Sequence, residues 1–152
     1  MGCVRITERI MRTDPPTAEE TLEARKLIDA NVTTASATVP FATAQTFVGC
    51  AGTFTTLSAL AQGLDSYDPE RIHMSEIPFS QLREVTADLR AKTAAQRRES
   101  PVVHPGRADV IGSGSTVVEQ LMDAFECEAG ATGFIISEKD ILDGIVAGFA
   151  KD

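Results

Sequence analysis

The feature that most constrains this sequence is a glycine-rich turn, Gly49 to Leu57, which lies between an apolar run and a helix-forming stretch. The apolar run covers residues 46–48, and residues 58–61 follow the turn. That order predicts a strand, a tight turn and the first turn of a helix. Because N–H groups and hydroxyls converge at a helix start, the turn suits a phosphate or nucleotide ligand. An ordinary tight turn, closed by Gly52 and capped by Thr53, would use the same residues.

Composition favours one aliphatic-cored domain over residues 1–152. The chain has 152 residues, of which 43% are hydrophobic, and it has no tryptophan. Its formal net charge of −8 disfavours a nucleic-acid partner, because affinity for polyanions comes largely from Lys and Arg. No apolar stretch approaches the ~18 residues of a membrane span, and no apolar segment typical of a signal peptide opens the chain.

The cysteines indicate a reducing compartment. The chain has three, at positions 3, 50 and 127, and their spacing fits neither a disulfide framework nor a zinc site. We therefore expect a cytoplasmic protein with free thiols. Cys50 lies in the glycine turn, but no histidine is placed by the sequence to activate it.

Apolar periodicity and chain breakers predict alternating strands and helices, and therefore the α/β class. Predicted strands cover residues 2–7, 46–51 and 132–137, and residues 72–77 are expected to be extended. Predicted helices cover residues 18–31, 53–61, 78–92 and 96–99 and two stretches that begin near residues 116 and 138. Residues 31–45, 63–70 and 100–106 are predicted to be loops, the first of them either a loop throughout or a loop with one more helical turn. Since the first strand begins at residue 2, without a lead-in, we expect a truncated domain.

The expected helix faces can be named. Thr17 and Glu20 form a capping-box pattern before the first predicted helix, and Ser137 is expected to cap the last one. The apolar residues expected to face inward recur at helical spacing. They are Ala24, Leu27 and Ile28; Phe54, Leu57 and Leu60; Phe79, Leu82, Val85 and Leu89; and Ile141, Leu142, Ile145, Val146 and Phe149.

Two further patterns leave alternatives open. Gly112 to Thr116 is either a phosphate cradle or a small-residue stretch that lets a helix pack closely on its neighbour. Arg97, Arg98 and Arg107, with His104 beside them, either meet a phosphate or solvate a loop and a helix end. Paired carboxylates for acid–base chemistry and histidine metal ligands are not identifiable, so we assign no catalytic residue and no metal ligand.

Five segments together resemble the Ppx/GppA exopolyphosphatases and guanosine pentaphosphate phosphohydrolases, most closely their actinobacterial members. They are residues 2–9, 49–56, 67–73, 105–111 and 137–145, in register over nearly the whole chain. The resemblance implies a partial actin-like ATPase (ribonuclease H-like) domain. It also implies Mg²⁺-assisted attack of water on the terminal phosphoryl group of polyphosphate or guanosine pentaphosphate.

The sequence departs from the family pattern in what it lacks. The family's first domain, its catalytic glutamate and its D-I-G-G-G-S-T-E loop have no counterpart here. The chain resembles the C-terminal half of the second domain and the tail that follows. Where the family has a packed helix after Arg107, it favours the helix-packing interpretation of residues 112–116.

The resemblance implies a set of binding residues, a cofactor and partners. We predict phosphate- or nucleotide-binding residues Gly49, Gly52, Thr53, Thr55 and Arg107, with Mg²⁺ as the implied cofactor and its ligands outside the chain. We expect a phosphatase fragment that is inactive alone and that forms a homo-oligomer or pairs with a missing N-terminal half. The alternative is a non-catalytic guanine-nucleotide-binding or dimerisation module.

Overall fold

A computed structural model describes residues 2–149. In chain order, its helices are α1 (Cys3–Arg9), α2 (Ala18–Thr38), α3 (Ala51–Ala61), α4 (Pro69–Ile72), α5 (Phe79–Ala91), α6 (Ala94–Arg98), α7 (Ile111–Ala129) and α8 (Ile141–Phe149). Its strands are β1 (Val48–Cys50), β2 (Ser75–Pro78) and β3 (Gly133–Ser137). Short 3₁₀ turns lie at Phe41–Thr43 and Pro105–Arg107.

The three strands form one mixed sheet in the order β1-β3-β2. β1 runs parallel to β3, and β2 runs antiparallel to it. On β3, Phe134 and Ile136 alternate into the core and are 2% and 0% exposed. Cys50 lies opposite Ser137 in the parallel pair, so the carboxyl ends of β1 and β3 meet at one edge of the sheet. Ligand sites of α/β sheets lie at such an edge.

Helix α7 is the centre of the packing. Ten of its nineteen residues are buried, and α1, α2, α3 and α5 all contact it. Its first turns consist of small residues, which lets α3 approach closely. A Cβ added at Gly114 would lie 2.9 Å from Thr53 Oγ1 on α3. The hydroxyls of Ser115 and Thr116 donate to carbonyls of their own helix. The helix-packing interpretation of residues 112–116 is therefore confirmed, and the phosphate-cradle alternative is wrong.

The strand predicted over residues 2–7 is wrong, because this segment forms helix α1. Its β-branched residues favour a strand locally, but packing on α7 decides the outcome. Ile6 is 2% exposed, and Ile10, four residues on, packs in the same cluster. The Thr7 hydroxyl donates to Cys3 O at 3.0 Å and lies 2.7 Å from Ser113 Oγ of α7.

The loop predicted over residues 31–45 is also wrong over much of its length. Helix α2 continues through this Thr- and Ala-rich stretch to Thr38. Val32 packs in the core at 7% exposed, and the Thr34 hydroxyl donates to Ala30 O, four residues back. Burial against α7 thus outweighs the weak helix propensity of the threonines.

Three predictions of side-chain position fail as well. Leu27, expected inward, is 46% exposed, whereas Ala24 and Ile28 are buried. Ser137 accepts from Lys139 N within a turn, and the residue that caps α8 is Asp140, whose carboxylate accepts from Leu142 N at 2.9 Å. The five apolar residues of α8 that were expected inward are all exposed.

Other local predictions are confirmed. Thr17 and Glu20 form both hydrogen bonds of the capping box. Phe79, Leu82 and Leu89 of α5 are buried, and Val85 packs beside them. The strand and the helix predicted on either side of the glycine turn appear as β1 and α3. The helix follows the strand directly at Ala51, so Gly52 and Thr53 lie inside its first turn and neither closes a separate turn nor caps it. No helix of the described residues is long and apolar enough to cross a membrane.

Candidate functional site

The candidate site lies where β1 passes into α3. Ala51, the first residue of the helix, has φ +65°, a left-handed conformation that L-residues adopt rarely. The preceding residue, Cys50, gives the helix no side-chain capping hydrogen bond. The helix start therefore keeps the partial positive charge of its first-turn N–H groups without a side-chain acceptor at the cap position.

Arg107 lies directly over this helix start. Its Nη1 donates to Gly52 O at 3.2 Å, and a Cβ built at Gly52 would lie 2.0 Å from the guanidinium carbon. The same carbonyl also accepts from the Thr56 hydroxyl at 2.7 Å. A side chain at position 52 would therefore displace the Arg107 guanidinium from this place. Arg107 is exposed, and its charge is available to a ligand.

A cavity of about 460 Å³ opens in front of these groups. Gly52, Thr53 and Arg107 line it together with residues 2–4 at the start of α1 and Gly114 of α7. The structure therefore brings three of the five predicted binding residues to one concave surface. A guanidinium beside a helix N-terminus is an arrangement that favours anionic oxygens.

The other two predicted residues lie behind that surface. Gly49 is buried in β1, where a Cβ would lie 2.2 Å from the ring of Phe54. Its lack of a side chain makes room for that ring. Thr55 is 3% exposed on α3 and does not line the cavity. The structure gives both residues a packing role, and their part in binding stays a prediction.

Two side chains that the sequence reasoning did not assign complete this edge. The Tyr67 hydroxyl donates to Glu138 Oε1 at 2.6 Å, which ties the connector before α4 to the end of β3. Burial raises the pKa of Tyr67, the Glu138 carboxylate raises it further, and Thr55 and Arg107 act in the opposite direction. Both residues lie in segments that carried the resemblance, which was the available signal.

The remaining basic residues do not reach the cavity. Arg97 is 3% exposed, and its guanidinium donates to Leu89 O at 2.6 Å and Ala108 O at 3.0 Å. Burial lowers the pKa of Arg97, while Asp14 and Asp109 raise it. Arg98 pairs with Asp109, and His104 Nδ1 accepts from Gly106 N. Of the basic cluster in the sequence, Arg107 alone lines the cavity.

The Mg²⁺ that the resemblance implies would need a group of ligating side chains. Among residues 2–149, no three His, Cys, Asp or Glu side chains come together in a group that could hold a metal ion. Mg²⁺ prefers carboxylate and phosphate oxygens in near-octahedral geometry. The described residues therefore do not form a magnesium site by themselves.

The chain matches the model of the Ppx/GppA phosphatase family over residues 1–148. It is 48% identical over 150 residues to exopolyphosphatase 2 of Mycobacterium tuberculosis, covering 99% of this chain and 47% of that protein. It is 30% identical over 99 residues to a bifunctional 3-dehydroquinate synthase/phosphatase of Fusobacterium nucleatum, covering 65% of this chain and 14% of that protein. The chain thus spans about half the length of exopolyphosphatase 2.

Solved structures agree with this similarity. An exopolyphosphatase-like protein superposes with a TM-score of 0.94 at 36% identity, covering 99% of this chain and 49% of that one. The Ppx/GppA family member of Aquifex aeolicus superposes with a TM-score of 0.86 at 25% identity, covering 99% and 46%. These neighbours have the actin-like ATPase fold, so the predicted fold class is confirmed.

Proposed function

This chain belongs to the Ppx/GppA phosphatase family, and on that basis we propose that it forms one wall of an exopolyphosphatase-type active site. The wall is the cavity at the start of α3, where Gly52, Thr53 and Arg107 receive phosphate groups of the substrate. The observation that carries the proposal is the position of the Arg107 guanidinium over the α3 N-terminus, at the carboxyl ends of two parallel strands.

The substrate that suits this wall is a phosphoanhydride chain. A flexible polyanion can lay consecutive phosphates along a guanidinium and a helix N-terminus, and each contact is charge-assisted. Because the chain carries a net charge of −8, its attraction for a polyanion depends on this local positive charge. Inorganic polyphosphate meets that description, and guanosine pentaphosphate adds a nucleoside to the same chemistry.

The hydrolytic step needs groups beyond this chain. Phosphoryl transfer requires a carboxylate to position water and Mg²⁺ to neutralise the developing charge. The described residues offer no magnesium site, and no carboxylate lines the cavity. We therefore expect the chain alone to bind phosphates without releasing phosphate from them. Family membership favours this role over a purely non-catalytic nucleotide-binding module.

Calorimetric titration with inorganic tripolyphosphate tests the binding wall. The wild-type chain should bind, Arg107→Ala should weaken binding at least about tenfold, and Arg107→Lys should restore part of the loss. Arg9→Ala, which removes an exposed arginine away from the cavity, is the matched control and should bind like wild type. Equal binding by wild type and Arg107→Ala, or no heat at millimolar ligand, would overturn the proposal. A parallel titration with guanosine pentaphosphate separates the two substrates.

A further inference from the structure

Arg97 is a basic residue that the proposed function does not use, and it faces a second cavity. This cavity has a volume of about 200 Å³ and lies between the α1–α2 connection, α6 and the first turn of α7. Arg97 is 3% exposed. Burying a guanidinium is costly unless its charge and its N–H groups are satisfied. The partners of Arg97 therefore show what the cavity lacks.

The guanidinium of Arg97 is only partly satisfied. Its Nε donates to Leu89 O at 2.6 Å and its Nη1 to Ala108 O at 3.0 Å, whereas Nη2 donates to no group that the structure describes. Nη2 lies at the cavity wall, since a Cβ built at Gly112 would be 2.7 Å from it. The ion pair with Asp14 is loose, because Oδ1 lies 3.6 Å from Nη1. A donor of a buried cation is thus left for an acceptor outside the described residues.

The charges around the cavity favour an anion. Arg12 lines it as an exposed second arginine. Asp109, which also lines it, is paired with Arg98. Burial lowers the pKa of Arg97 more than the carboxylates of Asp14 and Asp109 raise it. Because these carboxylates do not offset the cost of burying the charge, a further negative charge in the cavity would be stabilised.

A carboxylate on the wall selects among anions. Asp14 Oδ2 accepts from Ala94 N at 2.6 Å, whereas Oδ1 has only the 3.6 Å approach of Arg97 Nη1 and keeps its capacity to accept. Sulfate, which carries no proton at neutral pH, would face this oxygen with like charge. Orthophosphate retains at least one proton at neutral pH, so it can donate to the carboxylate while its other oxygens accept from Arg97. The wall therefore suits a protonated oxyanion better than one without a proton.

The cavity is held in shape by its surroundings. Glu20 Oε1 accepts from Arg12 N at 3.0 Å and from Thr13 N at 3.1 Å, which fixes the turn before α2 on one side of the cavity. The volume admits a tetrahedral oxyanion together with a few waters. Residues two apart on a helix do not share a face, and Gly112 lines this cavity whereas Gly114 lines the one at α3. The two cavities therefore flank the first turn of α7.

We propose that this second cavity binds orthophosphate, with Arg97 Nη2 donating to one oxygen and Asp14 Oδ1 accepting the proton that the anion retains. Ser113, which is 3% exposed, brings a hydroxyl to the same wall. The bound anion supplies the negative charge and the acceptor that Arg97 lacks. Binding here does not require the proposed function, although orthophosphate is also the product of the hydrolysis which that function implies.

Calorimetric titration with orthophosphate tests the site. Arg107→Ala is present in every chain titrated, so that the cavity at α3 does not contribute. Orthophosphate should bind at millimolar concentration or below, and sulfate at the same ionic strength should bind at least about tenfold more weakly. Gly112→Ala should weaken orthophosphate binding at least about tenfold, because its Cβ displaces Nη2. Asp65→Asn, at an exposed position before α4, is the matched control and should change neither affinity.

Asp14→Asn gives a second measurement that involves no overpacking. The amide oxygen can still accept from Ala94 N, but the wall loses its charge and gains a donor, so the preference for orthophosphate over sulfate should fall at least about tenfold. If Gly112→Ala fails to fold by circular dichroism, this ratio decides alone.

Three results would overturn the proposal: a flat orthophosphate titration, equal affinity for the two anions, or orthophosphate binding that neither variant changes. The last result would mean an adventitious ion only. The tripolyphosphate titration of the wild-type chain is a separate measurement. Tripolyphosphate binding with a flat orthophosphate titration would refute this site and leave the wall at α3 intact, and the reverse pair of results would do the opposite.

Discussion

Helices α7 and α8 have similar sequence patterns but differ in burial. Both show apolar residues at helical spacing, and both contain two glycines four or fewer residues apart. Ten residues of α7 are buried, and none of α8 is. The difference teaches that periodicity defines an apolar face but does not say whether the surface that covers it lies in the same chain.

The sharpest way to break this comparison is to truncate one apolar side chain in each helix. Met122 of α7 is 0% exposed, so Met122→Ala should lower the free energy of unfolding by about 2–5 kcal/mol. Val146→Ala in α8 should change it by less than about 0.5 kcal/mol, because no packing is lost. Urea denaturation of both variants measures this, and similar losses would show that α8 is packed in the isolated chain.

The glycines give a second contrast, of opposite sign. Gly114→Ala places a Cβ 2.9 Å from Thr53 Oγ1 and should cost about 1–3 kcal/mol of unfolding free energy. Thr53→Ala in the same chain should recover part of that loss. Gly144→Ala meets nothing within 4 Å and should raise the helicity of α8, seen as slower amide exchange there. A neutral Gly114→Ala would contradict the close α3–α7 packing that shapes the cavity.

A third comparison tests whether α8 contributes to phosphate binding. Gly52→Ala should displace the Arg107 guanidinium and weaken tripolyphosphate binding by about tenfold, or about 1.4 kcal/mol. Leu142→Glu on α8 should leave that affinity unchanged in the isolated chain. Calorimetry on both variants decides the matter. Equal weakening by both would mean that α8 contributes to the wall directly.

The smallest effect concerns the two capping carboxylates. Hydrogen bonds from Thr13 and Thr17 lower the pKa of Glu20 to about 2, against 4.5 for a free glutamate. Because the folded pKa is the lower one, this contribution to stability is full above about pH 4.5 and is lost as the pH falls toward about 2. Glu20→Gln should lower the melting temperature at pH 7 and flatten its acid dependence.

The matching change in α8 should behave differently. The pKa of Asp143 is also lowered, but α8 is not packed on the body. Asp143→Asn should therefore reduce α8 helicity without moving the melting temperature. Circular dichroism recorded with the melting curves separates the two responses. A drop in melting temperature for Asp143→Asn would show that α8 unfolds together with the rest of the chain.

Sequence patterns correctly predicted those elements whose structure is decided by neighbouring residues. The Thr17–Glu20 capping box and the passage from β1 to α3 needed nothing beyond neighbouring residues, and both are confirmed. The strand predicted over residues 2–7 and the loop predicted over residues 31–38 were wrong. Burial against α7 outweighed the strand propensity of β-branched residues and the weak helix propensity of threonine. The inward face expected for α8 was wrong because none of the described residues buries it.

The candidate site was predictable in part. Gly52 and Thr53 follow from the turn, and Arg107 follows from the basic cluster together with the family resemblance. That Arg107, rather than Arg97, reaches the cavity is decided by the packing of α7, which buries Arg97 under the carbonyls of Leu89 and Ala108. Tyr67 and Glu138 meet only through the sheet, 71 residues apart in sequence.

Phosphate release from inorganic polyphosphate in the presence of Mg²⁺ tests the central claim most directly. The isolated chain should release none above background, whereas full-length exopolyphosphatase 2 of Mycobacterium tuberculosis serves as the positive control in the same assay. Release by the isolated chain at a rate near that of full-length exopolyphosphatase 2 would contradict the account, because the catalytic groups would then lie within these 152 residues.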